Sequence, residues 1–317
     1  MSSTAPIVVG ITGASGALYA VRLLQALTAA RTFGEAVHAL LIGSSVDLSA
    51  HGVAVAHLAQ HASLDSFAPD AWAAILGQLA DRLNARAIFA AGTDRGNEVM
   101  ARVAARTQLP LATNCIAVAT GSPVTLTRQR WGGSLLEEAA LHSPRPLITV
   151  APHTVAIAGY PADTTVEEFT PQLNEEELVV KVAERVSNKG GGVSLAEAKV
   201  VVSGGRGVGS KEGFAIIEEL ASLLRGAVGC SRVVTSAGWR PHSDQVGQTG
   251  TKIAPELYIA CGISGATQHM AGCKGAKRIL AINSDAEAPI MQNADFAVVG
   301  DLKEIVPAIS AELRKQR

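Results

Sequence analysis

Short apolar runs of strand length recur along the chain and alternate with segments of helical periodicity. The apolar runs cover residues 7–9, 38–42, 86–91, 146–150, 199–202, 257–262, 278–283 and 296–299, and the helical patterns cover residues 18–30, 71–83 and 213–224. Alternation of this kind indicates parallel strands with helices between them, because a parallel connection must carry the chain from the carboxyl end of one strand back to the amino end of the next. Aromatic residues make up only 4% of the sequence, so the core is built from small aliphatic side chains that suit a buried parallel sheet. The sequence predicts an α/β fold with doubly wound parallel sheets.

Three consecutive glycines, Gly190–Gly192, divide the chain into two parts. A run of glycines ends any regular element and favours a flexible connection. We therefore predict a first domain over residues 1–188, a glycine-rich linker over 189–196 that allows the domains to move, and a second domain over 197–317. Just before the linker, residues 164–187 alternate like a strand at their start, and their later part fits either a strand or a helix.

Charge and cysteine usage exclude several classes of protein. The 27 basic residues nearly balance the 28 acidic ones, which argues against a general nucleic-acid binder. No apolar run approaches the ~18 residues of a membrane span, so we do not expect an embedded protein. The four cysteines form no C-x-x-C pair, which argues against a zinc ribbon or a thioredoxin motif and fits the reducing cytoplasm.

Four polar clusters rich in glycine follow apolar runs in the second half, at residues 203–207, 229–232, 245–250 and 262–269. Glycine at the carboxyl end of a strand lets the backbone turn tightly and approach a ligand, and ligands of doubly wound sheets bind there. Arg206 suits a phosphate or a flat ring, and His269 suits a tuned hydrogen-bond donor, although each also fits an ordinary structural role. The spacing is not G-x-G-x-x-G, so the pattern predicts a nucleotide-type cofactor other than NAD in its usual mode.

The same half resembles a known family over its whole length from residue 199. The segments V-V-S-G-G-R-G, G-C-S-R, S-A-G-W-R-P-H-S-D-Q-V-G-Q-T-G, A-P-E-L-Y-I-A-C-G-I-S-G-A-T-Q-H-M-A-G, I-L-A-I-N-S-D-A-E-A-P-I and G-D-L-K-E-I-V-P occur in this order. They are similar to the alpha subunit of electron transfer flavoproteins. The first half resembles that family more loosely, chiefly at residues 96–104.

This resemblance implies an FAD held mainly by the second domain. Arg206 would contact the diphosphate, Arg232 and the Thr249 hydroxyl would lie near N5 of the isoalloxazine, and His269 would lie near its C2 carbonyl. Asn283, Asp301 and Leu302 would serve the AMP part. The complete set of cofactor residues implied by the resemblance is Arg206, Ser231, Arg232, Gln245, Val246, Gly247, Gln248, Thr249, Ser264, Gly265, Ala266, Thr267, Gln268, His269, Asn283, Asp301 and Leu302.

The resemblance also implies a redox carrier rather than a catalyst with its own substrate. A cation such as Arg232, together with His269, stabilises negative charge on a reduced flavin. The carrier would form a heterodimer with a beta subunit, take electrons from flavin dehydrogenases and pass them to an acceptor such as a quinone reductase. Whether such a protein bifurcates electrons through a second FAD in the beta subunit is left open by this chain.

Three further features of the first half admit alternatives. Residues 7–24, with Gly13-Ala14-Ser15-Gly16, resemble the start of flavin prenyltransferases, whose turn holds the FMN phosphate. They indicate either a second phosphate site in a flavin-modifying enzyme or a turn that packs tightly. His57 and His61 are spaced for one face of a helix, but they lack a third ligand, so we expect no metal. Residues 128–133 fall where the family contacts its partner or its own second domain.

Overall fold

The computed structural model describes residues 5–11, 17–43, 46–64, 66–133, 135–183 and 194–315, with residues 11, 17–23 and 132 described by their backbone alone. Its internal contacts divide the chain into two compact units, Met1–Ser187 and Asn188–Arg317. The glycine run and the Gly13-Ala14-Ser15-Gly16 turn both lie outside the described residues.

The first unit is built on a nine-stranded sheet. Its strands are β1 (Ile7–Ile11), β2 (Val37–Ile42), β3 (Val53–Ala59), β4 (Ala87–Ala91), β5 (Leu111–Ala119), β6 (Val124–Arg130), β7 (Leu135–Leu141), β8 (Leu147–Val150) and β9 (Thr165–Phe169), in the spatial order β7-β6-β5-β8-β4-β1-β2-β3-β9. Strands β5, β6 and β7 pair antiparallel, and all other neighbours pair parallel. The unit is therefore a parallel sheet extended at one edge by an antiparallel meander.

Three helices cover this sheet: α1 (Ala17–Arg31), α2 (Pro69–Arg82) and α3 (Asp94–Thr107). Helix α2 starts at a proline, whose fixed φ suits the first helical position, and α3 starts after Thr93, whose hydroxyl accepts a hydrogen bond from Gly96 N. Alternate residues of the central strands contribute to two separate apolar clusters, one on each face of the sheet. Two buried faces are the usual condition of a parallel sheet.

The second unit contains a five-stranded parallel sheet. Its strands are β10 (Val200–Gly204), β11 (Ala227–Cys230), β12 (Leu257–Cys261), β13 (Ile279–Asn283) and β14 (Phe296–Val299), and its helices are α4 (Ala215–Leu223), α5 (Arg232–Ser236), α6 (Thr267–Cys273), α7 (Pro289–Asn293) and α8 (Leu302–Lys315). The spatial order is β11-β10-β12-β13-β14, with every pair parallel. Here too, separate apolar clusters occupy the two faces.

The strand order of the second unit fixes where a ligand can bind. The chain goes from β10 outward to β11 and then returns to the other side of β10 to form β12. The connections therefore leave the carboxyl ends of β10 and β12 in opposite directions. The crevice that opens between two such strands is the usual ligand site of a doubly wound sheet.

The predicted α/β class with doubly wound parallel sheets is confirmed, and three local interpretations change. The antiparallel meander of β5, β6 and β7 was not expected. Between residues 174 and 183 the chain forms neither a strand nor a long helix but a single 3₁₀ turn at Glu176–Leu178. His57 lies on strand β3 instead of a helix, so the proposed pairing with His61 on one helix face is wrong.

Candidate functional site

A cavity of about 640 Å³ lies at the switch point of the second unit. This volume falls within the ~300–1,000 Å³ of small-molecule sites. The lining residues come from all four polar glycine clusters and from the end of β13: Arg206, Gly207, Ser231, Arg232, Val233, Gln245, Val246, Gly247, Gln248, Thr249, Gly262, Ile263, Ser264, Ala266, Gln268, His269, Asn283, Asp285 and Ala288.

The turns after β10 and β12 contact each other through their backbones. Gly205 N donates to Cys261 O at 2.9 Å, and Gly207 N donates to Gly262 O at 3.1 Å. A Cβ on Gly205 would lie 2.1 Å from Gly262 O, and Gly262 itself has a φ of +61°. Only glycine permits this approach, because any side chain would separate the two turns. These glycines therefore bring the ends of the two central strands together at the cavity.

The other two clusters are tied to the same point by backbone hydrogen bonds. Ser231 N donates to Gly204 O at 3.1 Å, and Gln248 N donates to Gln268 O at 2.7 Å. The loop 245–250 therefore lies against the start of helix α6. Clusters that lie more than 50 residues apart in sequence, at residues 203–207 and 262–269, thus form one continuous rim.

A buried glutamine orients the loop from within. Gln245 is only 2% exposed. Its Nε2 donates to Thr249 Oγ1 at 3.0 Å, and its Oε1 accepts from Thr235 Oγ1 at 2.8 Å. Both ends of the amide are therefore satisfied, as a buried polar group requires. The glutamine links helix α5 to the loop and fixes where the exposed Thr249 stands.

His269 is the one buried histidine of the rim. Its side chain is 7% exposed, and its Nε2 lies 2.7 Å from the hydroxyl oxygen of the fully buried Tyr258. Burial lowers the pKa of His269 to about 4, with a smaller opposing contribution from the backbone of Val246, so the imidazole is neutral at neutral pH. Its Nδ1 is buried and has no hydrogen-bond partner among the described residues. Because His269 lines the cavity, a bound ligand is a candidate partner for that nitrogen.

The cavity carries an excess of positive charge. Arg206 and Arg232 line it, against a single carboxylate, Asp285. Neither guanidinium forms an ion pair within the part of the chain that the structure describes. Guanidinium groups without protein partners are suited to phosphate oxygens and to the edges of flat, electron-rich rings.

Most of the residues predicted from sequence meet at this cavity. Thirteen of them line it: Arg206, Ser231, Arg232, Gln245, Val246, Gly247, Gln248, Thr249, Ser264, Ala266, Gln268, His269 and Asn283. Gly265, in the turn before α6, and Thr267, the first residue of α6, lie beside lining residues without lining the cavity themselves. Asp301 and Leu302 lie at the start of α8, outside the lining, and the Leu302 side chain is buried in the core. A role in binding the cofactor stays a prediction for all seventeen residues.

Sequence reasoning missed six lining residues: Gly207, Val233, Gly262, Ile263, Asp285 and Ala288. Gly207, Gly262 and Ile263 stand inside the glycine clusters but were not assigned a role in binding. Asp285 and Ala288 follow β13, the next strand beyond β12. The rule that ligands bind at carboxyl ends of strands was the signal that could have found them.

A doubly wound domain whose switch point carries a glycine rim, two unpaired arginines and a buried neutral histidine defines a nucleotide-binding α/β protein. Comparison with known proteins narrows this class. Residues 194–274 match the electron transfer flavoprotein FAD-binding domain, and residues 21–173 match the electron transfer flavoprotein domain.

Individual relatives agree over most of the chain. Protein FixB of Clostridium saccharobutylicum is 38% identical over 293 residues, which cover 89% of this chain and 87% of the relative. The electron transfer flavoprotein subunit alpha of Thermoanaerobacterium thermosaccharolyticum is 36% identical over 292 residues, with 89% and 88% covered. That of Bacillus subtilis is 35% identical over 300 residues, with 92% of each chain covered. The chain belongs to the electron transfer flavoprotein alpha-subunit family.

The cavity fits the FAD for which the matching domain is named. The buried, unpartnered Nδ1 of His269 offers a polar contact that the protein itself leaves open. Gly205 and Gly262 let the turns after β10 and β12 meet, which brings the ends of both central strands to the cavity. Arg206 and Arg232 match the charge of a diphosphate and of an electron-accepting ring. Three independent features therefore suit a flavin dinucleotide.

Outside this cavity, the histidines that raised the question of metal binding have other partners. His57 Nε2 lies 2.9 Å from His38 Nδ1 on the neighbouring strand, and its Nδ1 lies 3.5 Å from Glu167 on β9. Within the described ranges no group of three or more His, Cys, Asp or Glu side chains is arranged to hold a metal ion. The described helices also include none that combines the length and the apolar character needed to cross a bilayer.

Proposed function

We propose that this chain is the FAD-carrying alpha subunit of a heterodimeric electron transfer flavoprotein, a redox carrier without a substrate of its own. The observation that supports this most strongly is the cavity at the switch point, where thirteen residues predicted from the family's motifs converge. The second unit would hold the cofactor, and the first unit would contact the beta subunit. Residues 128–133 at the β6–β7 turn, where Trp131 is 79% exposed, are our candidate for part of that contact.

We assign the lining residues by their chemistry. Bound FAD supplies a ring system that accepts and releases electrons. Arg206 binds the diphosphate as a cation on a turn that the glycines bring close. Arg232 and His269 stabilise negative charge on the isoalloxazine, and Thr249, held by Gln245, offers a hydroxyl to the same ring.

The partners and the location are proposed on the same basis. Flavin dehydrogenases would deliver electrons, and a quinone-reductase-type or other acceptor would receive them. The four cysteines are buried free thiols, and burial raises the pKa of each to about 12, which suits a cytoplasmic protein that needs no disulfides. Counting FAD per heterodimer separates an ordinary carrier, with one, from a bifurcating one, with a second FAD in the beta subunit.

The test is to purify the chain with its beta subunit and to measure FAD content and reduction potential. In the Arg232→Gln variant the potential should fall and the reduced cofactor should bind less tightly, because a cation near the developing negative charge is lost. Arg225→Gln is the matched control, since this exposed arginine follows helix α4 and does not line the cavity. A wild-type complex that takes up no FAD on reconstitution would refute the proposal.

A further inference from the structure

In the second unit, the buried Tyr258 is hydrogen-bonded to His269, the histidine that lines the cavity. Tyr258 is the second residue of strand β12 and is fully buried, and its hydroxyl oxygen lies 2.7 Å from Nε2 of His269. His269 lines the cavity, whereas Tyr258 is not among the described residues that do so. His269 is therefore the direct hydrogen-bonded link between Tyr258 and the cavity.

The hydrogen bond between the two side chains admits two arrangements of protons. Burial raises the pKa of Tyr258 well above its usual value, so the hydroxyl keeps its proton. The neutral imidazole of His269 carries one N–H and one acceptor nitrogen. Either the tyrosine donates to Nε2 and the imidazole proton is on Nδ1, or Nε2–H donates to the tyrosine oxygen and Nδ1 is an acceptor.

Which of these arrangements is present depends on the second ring nitrogen, Nδ1, and on the hydrogen-bonding groups that a bound cofactor offers to it. His269 Nδ1 is buried and forms no hydrogen bond among the described residues, with the Val246 backbone beside the ring, so a ligand that reaches this nitrogen would satisfy it. The pyrimidine edge of an isoalloxazine presents mainly carbonyl oxygens and ring nitrogens that accept hydrogen bonds. The edge gains negative charge on reduction, which strengthens a hydrogen bond from a donor and weakens the contact with an acceptor.

We propose that Tyr258 is a positioning residue that donates to Nε2 of His269 and thereby keeps the imidazole proton on Nδ1, as a donor to the flavin. This inference rests on the proposed function, because it requires a flavin in the cavity. If so, Tyr258 helps the site bind reduced FAD more tightly than oxidised FAD, although Tyr258 does not line the cavity. Without the tyrosine hydroxyl, the proton is free to move to Nε2, and the donor to the ligand is lost.

The experiment is a double-mutant cycle on the FAD-loaded heterodimer, comparing the wild type, Tyr258→Phe, His269→Leu and the double variant. The readout is the ratio of FAD dissociation constants in the reduced and oxidised states, obtained from the potential. We expect Y258F to weaken reduced FAD about tenfold relative to oxidised FAD, equivalent to about 30 mV for a two-electron couple. In the H269L background the same change should have no further effect, because the tyrosine acts through the histidine. Tyr160→Phe, at an exposed tyrosine of the first unit, is the control and should match the wild type.

Two results would overturn the inference while the proposed function stands. The first is an unchanged ratio in Y258F alongside a changed ratio in H269L; the second is an equal effect of Y258F with and without His269. A ¹⁵N spectrum of the histidines in the unmodified complex gives an answer that does not depend on how Y258F folds. Protonation of His269 at Nδ1 supports the inference, and protonation at Nε2 contradicts it. Loss of FAD from the wild type itself would instead indicate failure of the proposed function.

Discussion

Individual side chains at the switch point are held by hydrogen bonds that involve buried residues and cannot be read from the sequence. Gln245 spans Thr235 and Thr249, and Tyr258 contacts His269, across gaps of four to eleven residues. Breaking one such pair leaves a buried polar group unpaired, which costs about 1–3 kcal/mol. Two of these residues, Thr235 and Tyr258, do not line the cavity, so the geometry of the site depends in part on residues outside its lining.

The burial of His269 should make the stability of the second unit depend on pH. Its pKa is about 4 in the folded chain and about 6.5 when unfolded, so between these values only the unfolded chain binds the proton. The free energy of unfolding should fall as the pH drops below about 6.5, by up to about 3 kcal/mol near pH 4.

The prediction is tested by denaturing the cofactor-free chain at a series of pH values. The His269→Leu variant should lack this component, so its stability relative to the wild type should rise by about 3 kcal/mol from pH 7 to pH 4. His242→Leu, at an exposed position of the same unit, should follow the wild type. If the free energies of unfolding of H269L and wild type differ by the same amount at every pH in this range, burial of the His269 imidazole is not the cause of the pH dependence.

Site residues could be predicted from sequence where they stand inside a continuous motif. They could not be predicted where their role depends on a contact between residues that are brought together only by folding. Arg206, Ser231, Arg232 and His269 were found because the glycine clusters surround them. Tyr258 was missed as a functional residue because a tyrosine within an apolar strand is indistinguishable from core. The relevant fact, its distance to His269 Nε2, exists only after β12 and α6 have packed together.

Among the elements, helix α6 packs against the loop at residues 245–250, which lines the cavity, and so helps to fix the position of that loop. A Cβ on Gly272 would lie 2.3 Å from Gly247 N and 2.4 Å from Gly247 Cα. These are backbone atoms and cannot rotate away as a flexible side chain does. The helix can therefore seat against residues 245–250 only while position 272 has no side chain.

The Gly272→Ala variant should bind FAD more weakly than the wild type, even though alanine favours a helix more than glycine does. We expect the forced shift of the loop to cost about 1–3 kcal/mol, and FAD affinity to fall about tenfold or more. Gly77 in helix α2 is the matched control, because a Cβ there would meet no atom within 4 Å. Gly77→Ala should leave FAD binding unchanged and raise the free energy of unfolding by up to about 1 kcal/mol. Titration of both variants with FAD, alongside denaturation, measures these effects; equal affinities would contradict the role of Gly272.

The elements that could be predicted are those with a strong local period. The apolar runs that became β1, β2, β4, β8 and β10 were visible because parallel strands are buried on both faces. The meander of β5, β6 and β7 was not, because its exposed faces interrupt the apolar run with Thr, Arg and Glu. Helix α3, rich in charged residues, was overlooked for the same reason.

For the whole molecule, the decisive property is that each unit has apolar clusters of its own. The two clusters of the first unit and the two of the second share no residue. A ligand that binds only the folded second unit stabilises that unit by an amount set by its concentration relative to its dissociation constant. Binding of the ligand does not stabilise the first unit as long as the two units unfold independently.

Hydrogen exchange of the heterodimer with and without FAD tests this independence. With free FAD at 100 times its dissociation constant, the stabilisation is about 2.7 kcal/mol. The slowest amides of β10 and β12 should then exchange about 100-fold more slowly, because exchange through global opening follows the free energy of unfolding. The amides of β1 and β4 are the internal control and should keep their rates. An equal slowing in both sheets would mean that the units unfold as one, whereas no slowing in β10 and β12 would place the cofactor outside the second unit.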